Sequence, residues 1–400
     1  MKPKSFSKAV AIMGGGGHVG LPLGIALAAE GLDVVLYDLN QTTVDLINDA
    51  TMPFLEPGAP DKLSEAVQSG RLVATTDPST LSDVEHVVVV VGTPVDEHLN
   101  PDPWAVRRAI ADVAEHLRDG QLLVLRSTVF PGVTALVEAL IVERGLDIDV
   151  VGAPERIAEG TAMTELYELP QIVGSRTESG RKRAEELFRH LTDHIVHLEP
   201  EEAELAKLFT NTWRYIKFAT SNQLFMIANS YGLDYERIRS GLAEGYPRAA
   251  DLPRAGFAAG PCLFKDTMQL AAFNNNQFSL GHAAMMINEG LPLYVVSQME
   301  QSHDLSVATV GILGMAFKAE SDDTRSSLSY KLKRILRYKA ANVLGTDPYV
   351  TDDPNLVTID KILERSDLLI IGAPHRIYAD LDTDLPIVDI WNLRGDGVRV

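Results

Sequence analysis

The segment AVAIMGGGGHVGLPLGIALAAEGLDVVLYDLN, residues 9–40, restricts the fold of this 400-residue chain more than any other feature. An apolar, β-branched run breaks into glycines, a helix-patterned stretch follows, and a second apolar run closes on an acid, Asp38. Gly15, Gly17 and Gly20 have the G-x-G-x-x-G spacing, and Asp38 lies 18 residues after Gly20. Three glycines alone are weak evidence in a loop that holds four in a row. The complete strand–loop–helix–strand–acid order is the dinucleotide-binding fingerprint. Glycines at such a turn let a pyrophosphate approach the backbone at a helix N-terminus, where His18 and Val19 also stand. Asp38 is placed to bond both ribose hydroxyls and to repel a 2′-phosphate, which favours NAD over NADP. Its plain alternative is a strand-end turn residue.

The rest of the chain extends this beginning. KAVAIMG, DVVLYD, HVVVVVG, LLVLRST, DVVGAP and PQIVGS are short runs expected to be buried on both faces of a parallel sheet. They define a Rossmann domain over residues 1–200. From Glu201 the pattern changes to about 30 residues without glycine or proline, roughly 45 Å of helix. Residues 201–302 are expected to form a helical middle domain. SVATVGILG, ANVLGTDP, DLLIIGAP and PIVDIWN restore the alternation, giving a second Rossmann-like domain over 303–400. The expected fold is α/β, with two doubly wound domains joined by a helical middle domain and a long central helix.

The net charge of −19 argues against a nucleic-acid partner, which needs a basic stripe. An anionic ligand must instead be held by local donors against a repulsive field. No apolar run is long enough for a membrane span, and the N-terminus lacks a signal-peptide pattern. A cytoplasmic protein is expected.

Cys262 is the only cysteine, in GFAAGPCLFKD, so no internal disulfide is possible. Gly256, Gly260 and Pro261 break regular structure before it, and a helical pattern begins after it. A thiol at a helix N-terminus beside Lys265 is stabilised as a thiolate. The alternative is a small packed core residue. Lys207 and Asn211, in ELAKLFTN, stand four apart on one helical face. Together they can stabilise an alkoxide or oxyanion; otherwise they are a snorkelling lysine and a surface amide. Asp266 follows Cys262 by four residues and shares its face if the helix starts at the cysteine. Glu155 and Glu159, in PERIAEG, follow a strand and can serve as bases toward water, or be helix-start acids. Thr93 and Pro94 in VGTP, with Ser127 and Thr128 in RSTVFPG, end sheet strands where the nicotinamide is expected. Their hydroxyls can equally be loop caps. No cluster has metal-ligand spacing, and no metal is expected.

The segments GGGHVGLPLG, VGTP, RSTVFPG, PERIAEG, ELAKLFTNTWR, GFAAGPCLFKD, INEGLP and LGMAFKAESDDTRSS occur in one order along nearly the whole chain. In this the sequence resembles the UDP-glucose/GDP-mannose dehydrogenase family of nucleotide-sugar 6-dehydrogenases. The resemblance implies a UDP-sugar substrate, NAD as cofactor and a homodimer. It makes Cys262 the nucleophile and gives Lys207 and Asn211 the alkoxide and the tetrahedral species. Asp266 would order water with Lys207, and Glu159 with Thr128 would assist hydrolysis. Glu155, Arg156, Gly256, Gly260, Phe317 and Lys318 would border the substrate, and Lys265 and Arg325 the cofactor, Arg325 with a reach to the substrate or across a subunit interface. Two departures leave the sugar open. The run before the cysteine is GFAAG followed by Pro261. Arg156 resembles the N-acetylhexosamine branch, whereas the retained Glu159 does not.

That resemblance implies a four-electron oxidation at C6 with covalent capture of the aldehyde by Cys262, which splits one difficult conversion into feasible steps. A two-electron enzyme of the β-hydroxyacid dehydrogenase type shares the Rossmann domain and the Lys-x-x-x-Asn pair, but leaves Cys262 and the second α/β domain unexplained. A non-catalytic NAD-binding protein leaves Lys207, Asn211, Cys262 and Asp266 as coincidences.

Overall fold

A computed structural model describes residues 6–93, 95, 96, 101–398 and 400. The chain divides into two compact units, residues 1–210 and 211–400.

The first unit is built on an eight-stranded sheet. Its strands are β1 (Lys8–Met13), β2 (Val34–Tyr37), β3 (Leu72–Thr75), β4 (Val84–Val89), β5 (Leu122–Leu125), β6 (Asp149–Gly152), β7 (Gln171–Gly174) and β8 (Ile195–Leu198). They lie in the order β3-β2-β1-β4-β5-β6-β7-β8. The run β3-β2-β1-β4-β5-β6 is the Rossmann order, with its topological switch between β1 and β4. Every residue of β2 and β5 is buried, as expected for strands covered on both faces. One expectation needs correcting. The β6–β7 pair is antiparallel, while β7–β8 is parallel, so the last two strands run against the other six. An antiparallel neighbour needs no full crossover. The connection between β6 and β7 carries only the short helix Ala162–Glu168.

The glycine-poor run becomes one helix of 31 residues, Pro200–Ser230, and the boundary between units falls within it. Pro200 is tolerated because the first helical positions have no intrahelical acceptor for an N–H. Glu201 and Glu202 complement the dipole in the first turn. The helix stops at Gly232 (φ +67°), where Leu233 N–H bonds back to the Ala228 carbonyl at 3.0 Å.

The second unit holds a parallel four-stranded sheet, β10-β9-β11-β12, from β9 (Thr309–Leu313), β10 (Asn342–Thr346), β11 (Leu368–Ile371) and β12 (Ile387–Val388). Its core is continuous with helical residues earlier in the chain. Phe225, Tyr235, Phe257, Leu291, Val295 and Met299 pack in one cluster with Val310, Ile312, Leu368 and Ile370. The C-terminal sheet and the helices before it therefore share a hydrophobic core. Among the described residues, no helix is long and apolar enough to cross a membrane.

Candidate active site

In the first unit the fingerprint loop joins β1 to a ten-residue helix, Gly20–Ala29, that is apolar almost all round and buried from Gly20 to Ala28. A Cβ on Gly15 would lie 2.7 Å from the Leu36 side chain, so the loop packs directly on β2. A Cβ on Gly17 would meet only the Gly14 carbonyl, at 3.7 Å, which leaves that face of the loop open at the helix start. Val19 is the N-cap, and the first turn contains no acid to repel a phosphate. Asp38 Oδ2 accepts from Gly16 N–H at 2.9 Å, and Oδ1 from Asn40 N–H at 3.0 Å. The carboxylate that ends β2 is thus tied to the glycine loop. An open glycine cradle, an acid-free helix start and a held carboxylate fit a 2′-unphosphorylated dinucleotide.

The strand ends beside the switch point are cross-braced. Ser127 Oγ accepts from Val91 N–H at 2.9 Å and donates to the Val91 carbonyl at 2.8 Å. Thr93 donates to the Thr128 carbonyl at 2.6 Å. Both hydroxyls therefore hold the loops after β4 and β5 together. Pro94 lies outside the described residues.

Arg126 and Glu155 form a buried ion pair; the guanidinium is fully enclosed and sits over the Phe188 ring at 4.7 Å. Glu155 Oε1 also accepts from Arg156 N–H at 2.6 Å and Ile157 N–H at 3.0 Å. Arg156 donates to the Pro170 carbonyl, and burial pulls its guanidinium below its usual range. Glu155 and Glu159 stand in a loop rather than in a helix. Glu159 Oε1 is 3.7 Å from His18 Nδ1, and the His18 ring stacks on Phe54 at 3.9 Å between centroids. Glu159 and the fingerprint loop are thereby brought together. Sequence reading passed over the Arg126–Glu155 pair, because its members lie 29 residues apart and no local pattern marks them.

The second unit holds the thiol. Cys262 is exposed, which removes the packed-core alternative. It is the N-cap of the helix Leu263–Phe273, and its carbonyl accepts from Asp266 N–H at 2.8 Å. Asp266 is fully buried; Oδ2 accepts from Asn211 Nδ2 at 2.5 Å and Oδ1 lies 3.3 Å from Lys265 Nζ. Lys207, one turn before Asn211 on the long helix, is 7% exposed and Asn211 is 3% exposed, so neither is the surface residue of the alternative reading.

The loop before Cys262 is clamped from several sides. Asn222 accepts from Gly256 N–H at 2.9 Å and donates to its carbonyl at 3.0 Å. Asn288 accepts from Asn222 at 2.9 Å. Gly256 (φ +151°) lies against the Trp391 ring, where any Cβ would collide. Gly260 (φ +100°) faces Phe317, whose ring would be 2.7 Å from a Cβ there. Both positions need glycine for conformation and for space. Lys318 Nζ lies 5.9 Å from the Phe317 ring centroid. Arg325 grips Asp323 with Nε at 2.9 Å from both carboxylate oxygens and Nη2 at 2.6 Å from Oδ2.

At the C-terminal ends of β9, β10 and β11, His375 and Asp347 are both buried, with His375 Nε2 3.1 Å from Asp347 Oδ2. Glu320 N–H donates to His375 Nδ1 at 2.9 Å. Burial acts to raise the Asp347 carboxyl, but the His375 bond and backbone N–H donors outweigh it and hold the group below the usual carboxylate range. Nothing in the sequence singled out this pair.

Comparisons with known proteins match three successive stretches of the chain. Residues 8–192 match the UDP-glucose/GDP-mannose dehydrogenase family NAD binding domain, residues 201–290 its central domain and residues 311–393 its UDP binding domain. The chain is 32% identical over 372 residues to a UDP-N-acetyl-D-mannosamine dehydrogenase of Pyrococcus horikoshii, covering 90% of this chain and 88% of the relative. It is similar to the structure of the UDP-D-ManNAc dehydrogenase from Pyrococcus horikoshii, with a TM-score of 0.89 at 29% identity over 96% of each chain. It is equally similar to a UDP-glucose dehydrogenase from Pyrobaculum islandicum, with a TM-score of 0.89 at 25% identity over 100% of this chain and 98% of the other. NAD is its cofactor. The switch-point cradle, the thiol at a helix N-cap and these three consecutive matches together place the chain in the UDP-glucose/GDP-mannose dehydrogenase family.

Proposed function

We propose that this protein oxidises the C6 hydroxymethyl of a UDP-hexose to the carboxylate, removing four electrons through a covalent intermediate on Cys262. The observation that carries the reading is the exposed Cys262 at a helix N-cap, one turn from the buried Asp266 that holds the Asn211 amide and the Lys265 ammonium. NAD, when bound, accepts one hydride from C6 in each oxidation, so two are reduced per sugar.

The chain's own residues do the rest. In the first oxidation the C6 hydroxyl loses its proton, and Lys207 and Asn211 stabilise the alkoxide. Cys262 Sγ then adds to the aldehyde carbon, forming a C–S bond, and the same two donors hold the thiohemiacetal oxygen. The second oxidation leaves a thioester. Water ordered by Asp266 with Lys207, and assisted by Glu159 and Thr128, attacks its carbonyl. The C–S bond breaks and the thiolate leaves, with one water consumed per acid formed. A thiolate at a helix N-terminus is a good nucleophile and a good leaving group, which both ends of this sequence require.

Gly15, Gly17, His18, Val19, Gly20 and Asp38 are assigned to the dinucleotide, with Thr93, Ser127 and Thr128 toward the nicotinamide end and Lys265 and Arg325 as further donors. Lys318, Phe317, Gly256 and Gly260 are assigned to the sugar nucleotide. Lys318 and Arg325 supply local positive charge to a diphosphate on a chain of net charge −19. We assign Arg126–Glu155 to shaping the loop that carries Arg156 and Glu159. A homodimer is supported by the apolar residues that the long helix leaves exposed, among them Trp213, Leu224 and Ile227.

Two measurements test the reading. A panel of UDP-glucose, UDP-N-acetylglucosamine and UDP-N-acetylmannosamine should contain one substrate that yields two NADH per sugar and an acid by mass. One NADH per sugar, with aldehyde or ketone as the product, would replace it with the two-electron chemistry. Wild-type enzyme should prefer NAD to NADP by about 100-fold or more, because the Asp38 carboxylate opposes a 2′-phosphate. Asp38→Ala should narrow that preference mainly by raising the KM for NAD. Equal wild-type turnover with the two cofactors would refute the assignment of Asp38.

A further inference from the structure

His375 and Asp347 are fully buried ionisable side chains that the mechanism leaves unused. Glu320 N–H donates to Nδ1 of His375, so that nitrogen carries the lone pair and the ring proton sits on Nε2, facing Asp347 Oδ2. Asp347 Oδ2 also accepts from Met315 N–H at 2.6 Å and Ala316 N–H at 2.9 Å, while Oδ1 accepts from Tyr349 N–H at 2.9 Å. The dyad thus grips residues 315, 316 and 320 of one loop. Glu320 sits in a left-handed conformation (φ +53°) and is fastened again through its carboxylate, which accepts from the Tyr349 hydroxyl and Arg376 N–H at 2.8 Å each. A non-glycine residue held at positive φ needs such over-determination. Farther along, Gly260 N–H points at the Ser326 carbonyl at 3.5 Å, and Phe317 covers the face of Gly260. Both ends of this loop therefore bear on the segment that leads into Cys262.

We infer that His375 is a positioning residue. Through Asp347 and Glu320 it fixes the 315–327 loop, so that Lys318 and Arg325 are presented to the diphosphate and Phe317 braces the thiol loop before any substrate arrives. The inference rests on the reading that this loop receives the sugar nucleotide. Neither partner can be exchanged neutrally. In Asp347→Asn an amide N–H₂ would face either the Met315, Ala316 and His375 donors or the Tyr349 and Val350 donors, since both carboxylate oxygens accept. Pre-organisation of this kind lowers the ordering cost of binding and is seen in affinity for the ligand.

The test compares wild type, His375→Phe, His375→Gln and Lys318→Ala by calorimetry with UDP and by steady-state NADH formation. His375→Phe keeps an aromatic ring, slightly larger than the imidazole, and removes both bonds. It should raise the Kd for UDP and the KM for the sugar nucleotide about tenfold, with kcat within about threefold. His375→Gln keeps a donor for Asp347 but not the acceptor for Glu320 N–H. It should move the same constants in the same direction by less, and it carries the test if the phenylalanine variant does not fold. A lowered Tm with UDP affinity and the KM for the sugar nucleotide unchanged in the folded variants would show a purely structural role and overturn the inference. Weaker UDP binding in Lys318→Ala with none in the His375 variants sinks this inference alone. Unchanged UDP binding in Lys318→Ala removes the reading beneath it.

Discussion

Cys262→Ala should abolish the acid product, by about 10³-fold or more, while NAD affinity stays near wild type. The residue is exposed at the N-cap of its helix, so truncation leaves no cavity and little change in stability is expected. The first hydride transfer does not formally require the thiol, so slow aldehyde formation can survive. Cys262→Ser should be nearly as inactive, because a hydroxyl is a far poorer nucleophile near neutral pH. Wild-type enzyme should lose activity to iodoacetamide with one label per chain, more slowly when sugar nucleotide is bound. Product mass, NADH yield and Tm measured on one alanine sample decide the matter. Two NADH per sugar at near wild-type rate from that sample would end the covalent mechanism.

The second large effect is on stability. Arg126→Met should destabilise the first unit by about 3–5 kcal/mol, because Glu155 is left charged and buried without its cation. A loss of this size lowers Tm by roughly 10 °C in a unit of about 200 residues. Arg126→Met combined with Glu155→Gln should recover a large part of the loss. The amide keeps an oxygen for Arg156 and Ile157 N–H, and no unpaired charge remains. Thermal melts of the two single variants and the double variant measure the coupling. If Arg126→Met melts within about 1 °C of wild type, the pair is not what holds the loop after β6.

Much of this was legible in the sequence because its signals are local. Each strand of the C-terminal sheet, the long helix and the N-terminal fingerprint is a run of neighbouring residues with its own pattern. Cys262 at a helix start could be read from Gly256, Gly260 and Pro261 before it and the helical pattern after it. What escaped reading lies in short or polar elements. The strand Leu72–Thr75 has an exposed Val73, and Ile195–Leu198 is an edge strand with two exposed residues. Neither has the unbroken apolar run that marks a central strand. The reversal at β6–β7 was hidden because strand direction depends on how the chain returns, not on strand composition. Arg126–Glu155, His375–Asp347 and Asn222–Asn288 are pairs distant in sequence, and each member alone looks like an ordinary polar residue. At Ser127 and Thr93 the strand ends offered two readings, a neighbour of the nicotinamide and a loop cap, and both hydroxyls bond to backbone groups across two strand ends.

The meeting of Gly256 with Trp391 sets a condition on how such a protein can be inherited. A side chain at 256 requires the indole to vacate its place, yet Trp391 also donates through Nε1 to the Ile371 carbonyl at 3.0 Å and packs edge-on with Phe257. Neither residue can drift first without harm, so the two must descend together. Recombination between homologues with a crossover between these positions would part a matched set, even where each half came from an active parent. A chimera that brings a different residue to either position therefore keeps the thiol loop in place only if the other position changes with it.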